Sequence, residues 1–231
     1  MTSRRLLIIA LLILGHGSIA SAETIAIIGT GNVAQALGPA FAEQGHRIVY
    51  GSRNPESSKT RRLLERTGED ATAASSAAAA EQAKIVVLAV PGLMVADITR
   101  DLGDLSGKII IDPTNPLTRK LMKFQHAVDT SNAEIIQEIA PDADVVKAFN
   151  TLNWKTMIEP ESAGGPVSIP LAGDSRRAKR TVARLVEGMG LEPIDVGGVE
   201  NARWVEGMLI LWINNRFSMR DSFDFHLRKA D

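Results

Sequence analysis

The chain has 231 residues, 45% apolar and 23% charged, which is enough to bury a core and is typical of a soluble globular protein. Its formal net charge of -1, without any block of lysine and arginine, argues against nucleic acid as a partner. The absence of cysteine excludes disulfides, thiolate metal sites and cysteine nucleophiles.

The N-terminal segment is typical of a cleavable secretory signal over residues 1–22. It has a basic start at Arg4 and Arg5, an apolar run over 6–14, and small residues before Glu23. The apolar run is about half of the roughly 20 residues that span a bilayer, which disfavours a permanent anchor. The arginine pair also fits a twin-arginine signal, with a general secretory signal as the alternative. We therefore expect a periplasmic or secreted protein that meets a membrane only during export, or a cytoplasmic one if translation starts later.

Past this segment, apolar runs alternate with stretches that fit helices. Five runs are strand candidates, mostly continuous in apolar residues as parallel strands buried on both faces are: TIAIIG, HRIVYGS, AKIVVLAV, GKIIIDP and DADVVKAFN. Helices are predicted over 33–44, 56–67, 73–83 and 132–139. This alternation predicts an α/β fold with a doubly wound, Rossmann-type parallel sheet over residues 23–150.

Residues 151–231 are predicted to form a small C-terminal α/β and helical extension. Two strand candidates, GPVSIPLAGD and EPIDVGG, flank a helix over 175–189 whose basic side is interpreted as solvent-exposed: Arg176, Arg177, Lys179, Arg180 and Arg184. The segment from 201 to about 225 has helical period, with Trp204, Met208 and Trp212 in one apolar row. Its wide apolar surface favours the core or a homodimer interface, with a ligand-pocket wall as the alternative.

The turn after the first strand carries a dinucleotide-binding fingerprint. Gly29, Gly31 and Ala34 form G-x-G-x-x-A between a predicted strand and a predicted helix. The first glycine makes the turn, the second lets backbone approach a pyrophosphate, and the small third residue allows the helix to pack on the strand. The N–H groups at the helix start then bind the phosphate charge.

The end of the second strand indicates which dinucleotide binds. A sheet that binds NAD presents Asp or Glu to the ribose about 20 residues after the fingerprint, but this chain has Gly51, Ser52 and Arg53 there. A hydroxyl beside a guanidinium suits a phosphate, and no carboxylate repels it. We therefore predict NADP rather than NAD, with an exposed loop arginine as the alternative reading of Arg53.

Other strand ends are expected to complete the site, because ligands of such sheets lie at the carboxyl edge. Pro91 ends AKIVVLAV, and Asn115 stands between two prolines in IDPTNPL. Asn150 and Thr151 follow the last strand of the sheet, where a plain turn or cap is the alternative.

The sequence predicts no catalytic acid or base and no metal site. The four histidines have no metal-ligand spacing, and no serine, histidine and aspartate form a convincing trio. Lys147 is the one candidate catalytic lysine, but in an apolar strand it is expected to extend its amine towards solvent. This absence fits hydride transfer to a flavin-like ring, where the cofactors supply the chemistry.

Five segments together resemble the NADP oxidoreductases that depend on the deazaflavin coenzyme F420, over about 24–219. They are IIGTGNVAQALGPAFAEQGHRIVYGSRNP, VVLAVP, IDPTNPL, VVKAFNTLN and PLAGDSRRAKRTVARLVEGMGLEPIDVGGVENARWVE. The NADP-binding domain of membrane ferric reductases is similar too. The resemblance implies four sets of contacts. The pyrophosphate would meet Thr30, Gly31, Asn32 and Val33, and the 2′-phosphate would meet Ser52 and Arg53. The nicotinamide would lie beside Ala89, Val90 and Pro91, and the second ring beside Asn150, Thr151 and Leu152.

The resulting hypothesis is an NADP(H)-dependent oxidoreductase that transfers hydride between the nicotinamide and a flavin or a deazaflavin such as coenzyme F420. Deazaflavin enzymes of the family can have histidine where Asn150 stands, so both rings stay open. Three alternatives also stay open: a reductase of a small imine or carbonyl, a ferric reductase component, and a non-catalytic NADP-binding module.

Overall fold

The computed structural model describes residues 22–120, 123–218 and 223–230, so the predicted signal lies outside it apart from Ala22. Six strands form the central sheet: β1 (Thr24–Ile28), β2 (Arg47–Gly51), β3 (Thr72–Ala74), β4 (Ile85–Leu88), β5 (Ile109–Asp112) and β8 (Asp144–Lys147). All neighbours are parallel, in the order β3-β2-β1-β4-β5-β8. The order reverses beside β1, which confirms the predicted doubly wound sheet.

Helices cover both faces of this sheet. They are α1 (Asn32–Glu43), α2 (Ser58–Thr67), α3 (Ser76–Glu81), α4 (Val95–Arg100) and α5 (Asn132–Ile139). Alternate residues of β1 join opposite layers, because successive strand side chains point to opposite faces. Ile25 and Ile27 pack in the layer that contains α1, whereas Ala26 and Ile28 pack in the layer that contains α3 and α5.

The C-terminal extension continues the sheet through a short antiparallel contact. β9 (Ser168–Leu171) and β10 (Glu192–Asp195) form a parallel pair, joined by α7 (Arg176–Glu187). The backbones of Lys147 and Ala172 exchange two hydrogen bonds of 2.8 and 3.2 Å, which attaches the extension to the end of β8. α6 (Trp154–Ile158) precedes β9, and α8 (Ala202–Ser218) follows β10.

One predicted element was wrong, and one element was missed. The segment 73–83, predicted as one helix, contains the end of the short strand β3 followed by α3. Ser75 is the N-cap of α3, and its side chain accepts a hydrogen bond from Ala78 N. The segment after IDPTNPL contains an antiparallel hairpin of β6 (Leu117–Lys120) and β7 (Lys123–His126), which was not predicted. Within the described ranges, no helix is both long enough and apolar enough to cross a bilayer.

Both long C-terminal helices differ in part from expectation. On α7, Lys179 is buried rather than solvent-exposed, and its Nζ lies 2.6 Å from Asp195 Oδ1. On α8, Val205 and Leu209 are buried, but Trp204 is 70% exposed and does not belong to the core of the single chain.

Candidate active site

The turn between β1 and α1 has the geometry that the fingerprint predicts. Gly29 has a φ of 113°, and an added Cβ would lie 2.3 Å from the carbonyl oxygen of Ala89, so this position requires glycine. Ala34 is completely buried where the helix meets the sheet.

The start of α1 is open towards solvent beside Gly31. A Cβ at Gly31 would meet no atom within 4 Å, and among the described side chains none caps this helix. Asn32 is exposed in the first turn, whereas Thr30 and Val33 are half-buried. Free N–H groups at a helix start, next to empty space, fit the pyrophosphate of a dinucleotide.

The end of β2 places Ser52 and Arg53 at the same carboxyl edge. Ser52 Oγ accepts a hydrogen bond of 3.1 Å from Asn54 N, which fixes the hydroxyl beside the strand end. Arg53 is exposed and makes no hydrogen bond or ion pair with any residue that the structure describes. The guanidinium is therefore available for a phosphate, as predicted for the 2′-phosphate of NADP.

The segment after β4 packs tightly against the segment after β5. Ala89 and Val90 are half-buried, and Pro91 is exposed at the edge. A Cβ at Gly92 would lie 1.9 Å from the carbonyl oxygen of Asn115, so glycine permits this approach. Gly92 directly follows the residues predicted to flank the nicotinamide, so the chain after β4 and the chain after β5 approach each other closely at this point.

Asn115 and Asn150 form a reciprocal pair between the ends of β5 and β8. Asn150 Nδ2 donates to Asn115 Oδ1 at 2.9 Å, and Asn115 Nδ2 donates to the Asn150 carbonyl at 3.2 Å. Asn150 Nδ2 also lies 3.3 Å from the carbonyl of Val205 on α8. The Oδ1 atom of Asn150 is buried and has no hydrogen-bond partner among the described residues. It is a buried acceptor without a partner, in the segment that is predicted to meet the second ring.

The backbone at the end of β8 is strained. Phe149 has a φ of 62°, the one positive value found at a non-glycine residue in the described part of the chain. Such a conformation costs on the order of 1–3 kcal/mol and occurs mainly at functional sites. Phe149 is buried against Phe41 of α1, with ring centroids 6.1 Å apart, and this packing holds the turn before Asn150. Thr151 is buried and Leu152 is half-buried against the core.

Lys147 does not reach solvent, contrary to the expectation from its sequence position. Its side chain is completely buried, with Nζ 2.6 Å from Asp112 Oδ2 and 2.5 Å from Glu206 Oε1. The same Nζ donates to the carbonyl of Thr114 at 2.7 Å. Asp112 in turn accepts two hydrogen bonds from Thr114, at 2.8 and 2.6 Å.

Glu206 connects this lysine to a histidine nearer the surface. Glu206 Oε2 lies 2.7 Å from His126 Nε2, and Glu206 Oε1 accepts a hydrogen bond of 2.9 Å from Asn132 N. Burial raises the pKa of Glu206, the charge of Lys147 opposes that rise, and Asp112 adds to it. We call Asp112, His126, Lys147 and Glu206 the charge cluster. The sequence analysis did not predict this cluster. The available signal was a charged residue inside each of two apolar runs, namely Lys147 and Glu206.

Across the described ranges, no group of three or more histidine, aspartate or glutamate side chains is arranged to hold a metal ion. The elements that were predicted to bind a dinucleotide thus meet at one sheet edge, with an asparagine pair beside them and the charge cluster behind that pair.

Comparisons with known proteins identify the class to which this chain belongs. F420-dependent NADP reductase of Methanothermobacter marburgensis is 31% identical over 206 residues, 82% of this chain and 91% of that protein. Metalloreductase STEAP3 of Rattus norvegicus is 31% identical over 188 residues, 81% of this chain but 36% of that protein, so the chain spans about a third of this relative. Fold, site and relatives define an NADP-dependent oxidoreductase on a Rossmann-type sheet.

The family follows from two further matches. Residues 24–116 match the family described as NADP oxidoreductase coenzyme F420-dependent. The solved structure of a candidate F420-dependent NADP reductase from Arthrobacter sp. FB24 superimposes with a TM-score of 0.77 at 33% identity, covering 83% of this chain and 92% of that one. The chain belongs to this family of F420-dependent NADP oxidoreductases.

Proposed function

We propose that the protein transfers hydride between the nicotinamide of NADP(H) and a flavin or deazaflavin ring bound beside the Asn115–Asn150 pair. The observation that carries this proposal is the free, buried Oδ1 of Asn150, two strands from the end of β4. Strands lie about 4.8 Å apart, so the ends of β4 and β8 are roughly 10 Å apart. A nicotinamide and a tricyclic ring stacked on each other can fill that space with their reacting atoms in contact. A tricyclic ring that presents an N–H suits an unpaired acceptor there.

The protein's contribution to this reaction is positioning. Asn115 and Asn150 lock each other, the Phe149 turn orients them, and Gly92 allows the β4 and β5 ends to meet. When bound, NADPH supplies a hydride, and the acceptor ring takes that hydride and one proton from water to give NADP⁺ and the reduced ring. An error of about 1 Å in such positioning can reduce the rate about a hundredfold.

The test is oxidation of NADPH stereospecifically deuterated at nicotinamide C4, with free FMN or coenzyme F420 as the acceptor. We expect deuterium at C5 of reduced coenzyme F420, where the C–D bond is retained. With FMN, the N5–D bond exchanges with water, so we expect a slower rate with the deuterated cofactor and loss of the label from the NADP⁺ product. Turnover should be lost in Asn150→Leu, with NADPH affinity retained. Asn153→Ser is the matched control, because Asn153 is an exposed cap of α6 and serine preserves capping. A wild-type protein that binds NADPH but reduces neither ring would favour a non-catalytic binding module.

A second candidate function is flavin-linked reduction of ferric iron. It is supported by the 31% identity to Metalloreductase STEAP3 and by Asn150 at the position where deazaflavin enzymes can have histidine. Iron would be the substrate in that case. Reduction of a ferric chelate that requires added flavin would support it, whereas equal rates without flavin would contradict it.

A further inference from the structure

The charge cluster must bind one proton besides those of Lys147. The three N–H groups of the Lys147 ammonium have three acceptors: Asp112 Oδ2, Glu206 Oε1 and the Thr114 carbonyl. Lys147 and Asp112 neutralise each other, and Glu206 would add a negative charge at a side chain that is completely buried. Burying an unpaired charge is costly, so another positive charge or a proton is required.

The hydrogen bonds of His126 show where that proton lies. His126 Nδ1 is 2.6 Å from the Val128 carbonyl, and a carbonyl only accepts, so Nδ1 carries hydrogen. Nε2 is 2.7 Å from Glu206 Oε2. A lone pair facing a carboxylate at that distance would be repulsive, so a proton lies between these two atoms. His126 and Glu206 share it, either as an ion pair or as a neutral acid and base.

The cluster is connected to both members of the asparagine pair. Lys147 holds the Thr114 carbonyl, and Thr114 directly precedes Asn115. On the other side, Val205, which directly precedes Glu206, accepts a hydrogen bond from Asn150 Nδ2. Asn132, whose N–H donates to Glu206, also donates through Nδ2 to the Gly92 carbonyl at 3.0 Å.

We propose that His126 and Glu206 share one proton that keeps the charge cluster neutral, and that this neutrality holds Asn115 and Asn150 in place for the hydride acceptor. The second half of the statement rests on the proposed function. Loss of the proton at alkaline pH leaves one negative charge buried between β5, β8, α5 and α8, which destabilises their contacts. His126, Glu206, Lys147 and Asp112 are positioning residues, because none of them contacts the predicted ring site directly.

The other charged groups nearby do not replace this proton. Arg203 on α8 is paired with Glu134 on α5, and this ion pair lies at the partly exposed end of the same interface. Arg203 and Glu134 neutralise each other, so the balance inside the cluster depends on its own four side chains.

The proton itself is tested without NADP or any acceptor. In ¹⁵N-histidine NMR at neutral pH, we expect hydrogen on His126 Nδ1 and a hydrogen-bonded proton between Nε2 and Glu206 whose signal disappears in Glu206→Gln. His126→Gln assigns the signal. Hydrogen on Nε2 alone, or the same Nε2 signal in wild type and Glu206→Gln, would overturn the proposal.

The energetic consequence is tested by urea unfolding at a series of pH values. Above about pH 6.5 the unfolded histidine has lost its proton while the folded pair retains one, so the wild-type folding equilibrium constant should fall about tenfold per pH unit. Glu206→Gln keeps the shape and the hydrogen bonds, with its amide donating to His126 Nε2, and has no proton to lose. Its stability should therefore fall less steeply, and parallel curves for the two proteins would contradict the shared proton.

The positioning role is tested by turnover with whichever of FMN and coenzyme F420 the wild-type protein reduces. We expect kcat to fall at alkaline pH in wild type and His226→Gln but to be flatter in Glu206→Gln, with NADPH affinity unchanged throughout. A Glu206→Gln profile identical to wild type would refute the link to Asn115 and Asn150. If no acceptor is reduced by wild type, the proposed function fails, and the NMR and unfolding results still decide on the proton.

Discussion

Gly31 and Gly29 lie two residues apart, yet their replacement by alanine should have opposite consequences. Gly31 has a φ of -79°, which any residue adopts, and its missing side chain faces empty space. A slightly poorer helix cap and a stiffer unfolded chain nearly cancel, so we expect stability to change by less than about 1 kcal/mol. The added methyl group instead occupies the space predicted for the pyrophosphate. Loss of one hydrogen bond to a charged group costs about 1.5–3 kcal/mol, which weakens NADPH binding roughly 10- to 150-fold.

Gly29→Ala should instead damage the fold. A φ of 113° and a Cβ 2.3 Å from Ala89 O impose both strain and a backbone clash, together about 2–5 kcal/mol. Thermal unfolding should show a fall in Tm of roughly 5–15 °C for Gly29→Ala and less than about 4 °C for Gly31→Ala. Isothermal titration with NADPH provides the affinities. A Gly31→Ala protein that binds NADPH like wild type, or unfolds like Gly29→Ala, would refute the assignment of this turn.

Three further predictions address cofactor choice, export and assembly. Arg53→Ala should weaken NADPH binding by about 1.5–3 kcal/mol and leave NADH binding nearly unchanged. Arg47→Ala, at the opposite end of β2, should affect the binding of neither nucleotide. Equal losses for both nucleotides in Arg53→Ala would exclude Arg53 from the 2′-phosphate site. We propose export through the twin-arginine route, so changing Arg4 and Arg5 to lysine should leave precursor in the cytoplasm, and normal processing would favour the general route. We also propose a homodimer through α8, so Trp204→Ser should lower the mass found by sedimentation, and a monomeric wild type would contradict it.

The sequence predicts the central sheet well because parallel strands buried on both faces are continuous apolar runs. All five runs became strands at the expected places. β3 escaped prediction because Thr72, Ala73 and Ala74 are small or polar and run into an alanine-rich helix. The β6–β7 hairpin escaped because its strands are largely polar and carry no alternating apolar pattern.

The predicted site residues lie at one edge of the sheet because each follows a strand, and the carboxyl ends of parallel strands share one edge. Their roles in binding remain predictions. The charge cluster was beyond such reasoning. Lys147 and Glu206 are 59 residues apart and belong to a strand and a helix, so no periodicity or motif connects them. Helical period predicted α8 but not which side faces Asn132 and His126, since that depends on how the helix crosses α5.

The direction of β1 has a practical consequence. The strand begins at Thr24 on the amino edge of the sheet and ends at the fingerprint turn on the opposite edge. Anything attached ahead of Glu23, such as an affinity tag, a bead linker or an electrode coating, is joined to the edge of the sheet opposite the predicted cofactor site. N-terminal immobilisation should therefore leave cofactor access unobstructed, which makes amperometric detection of NADPH oxidation on a surface feasible.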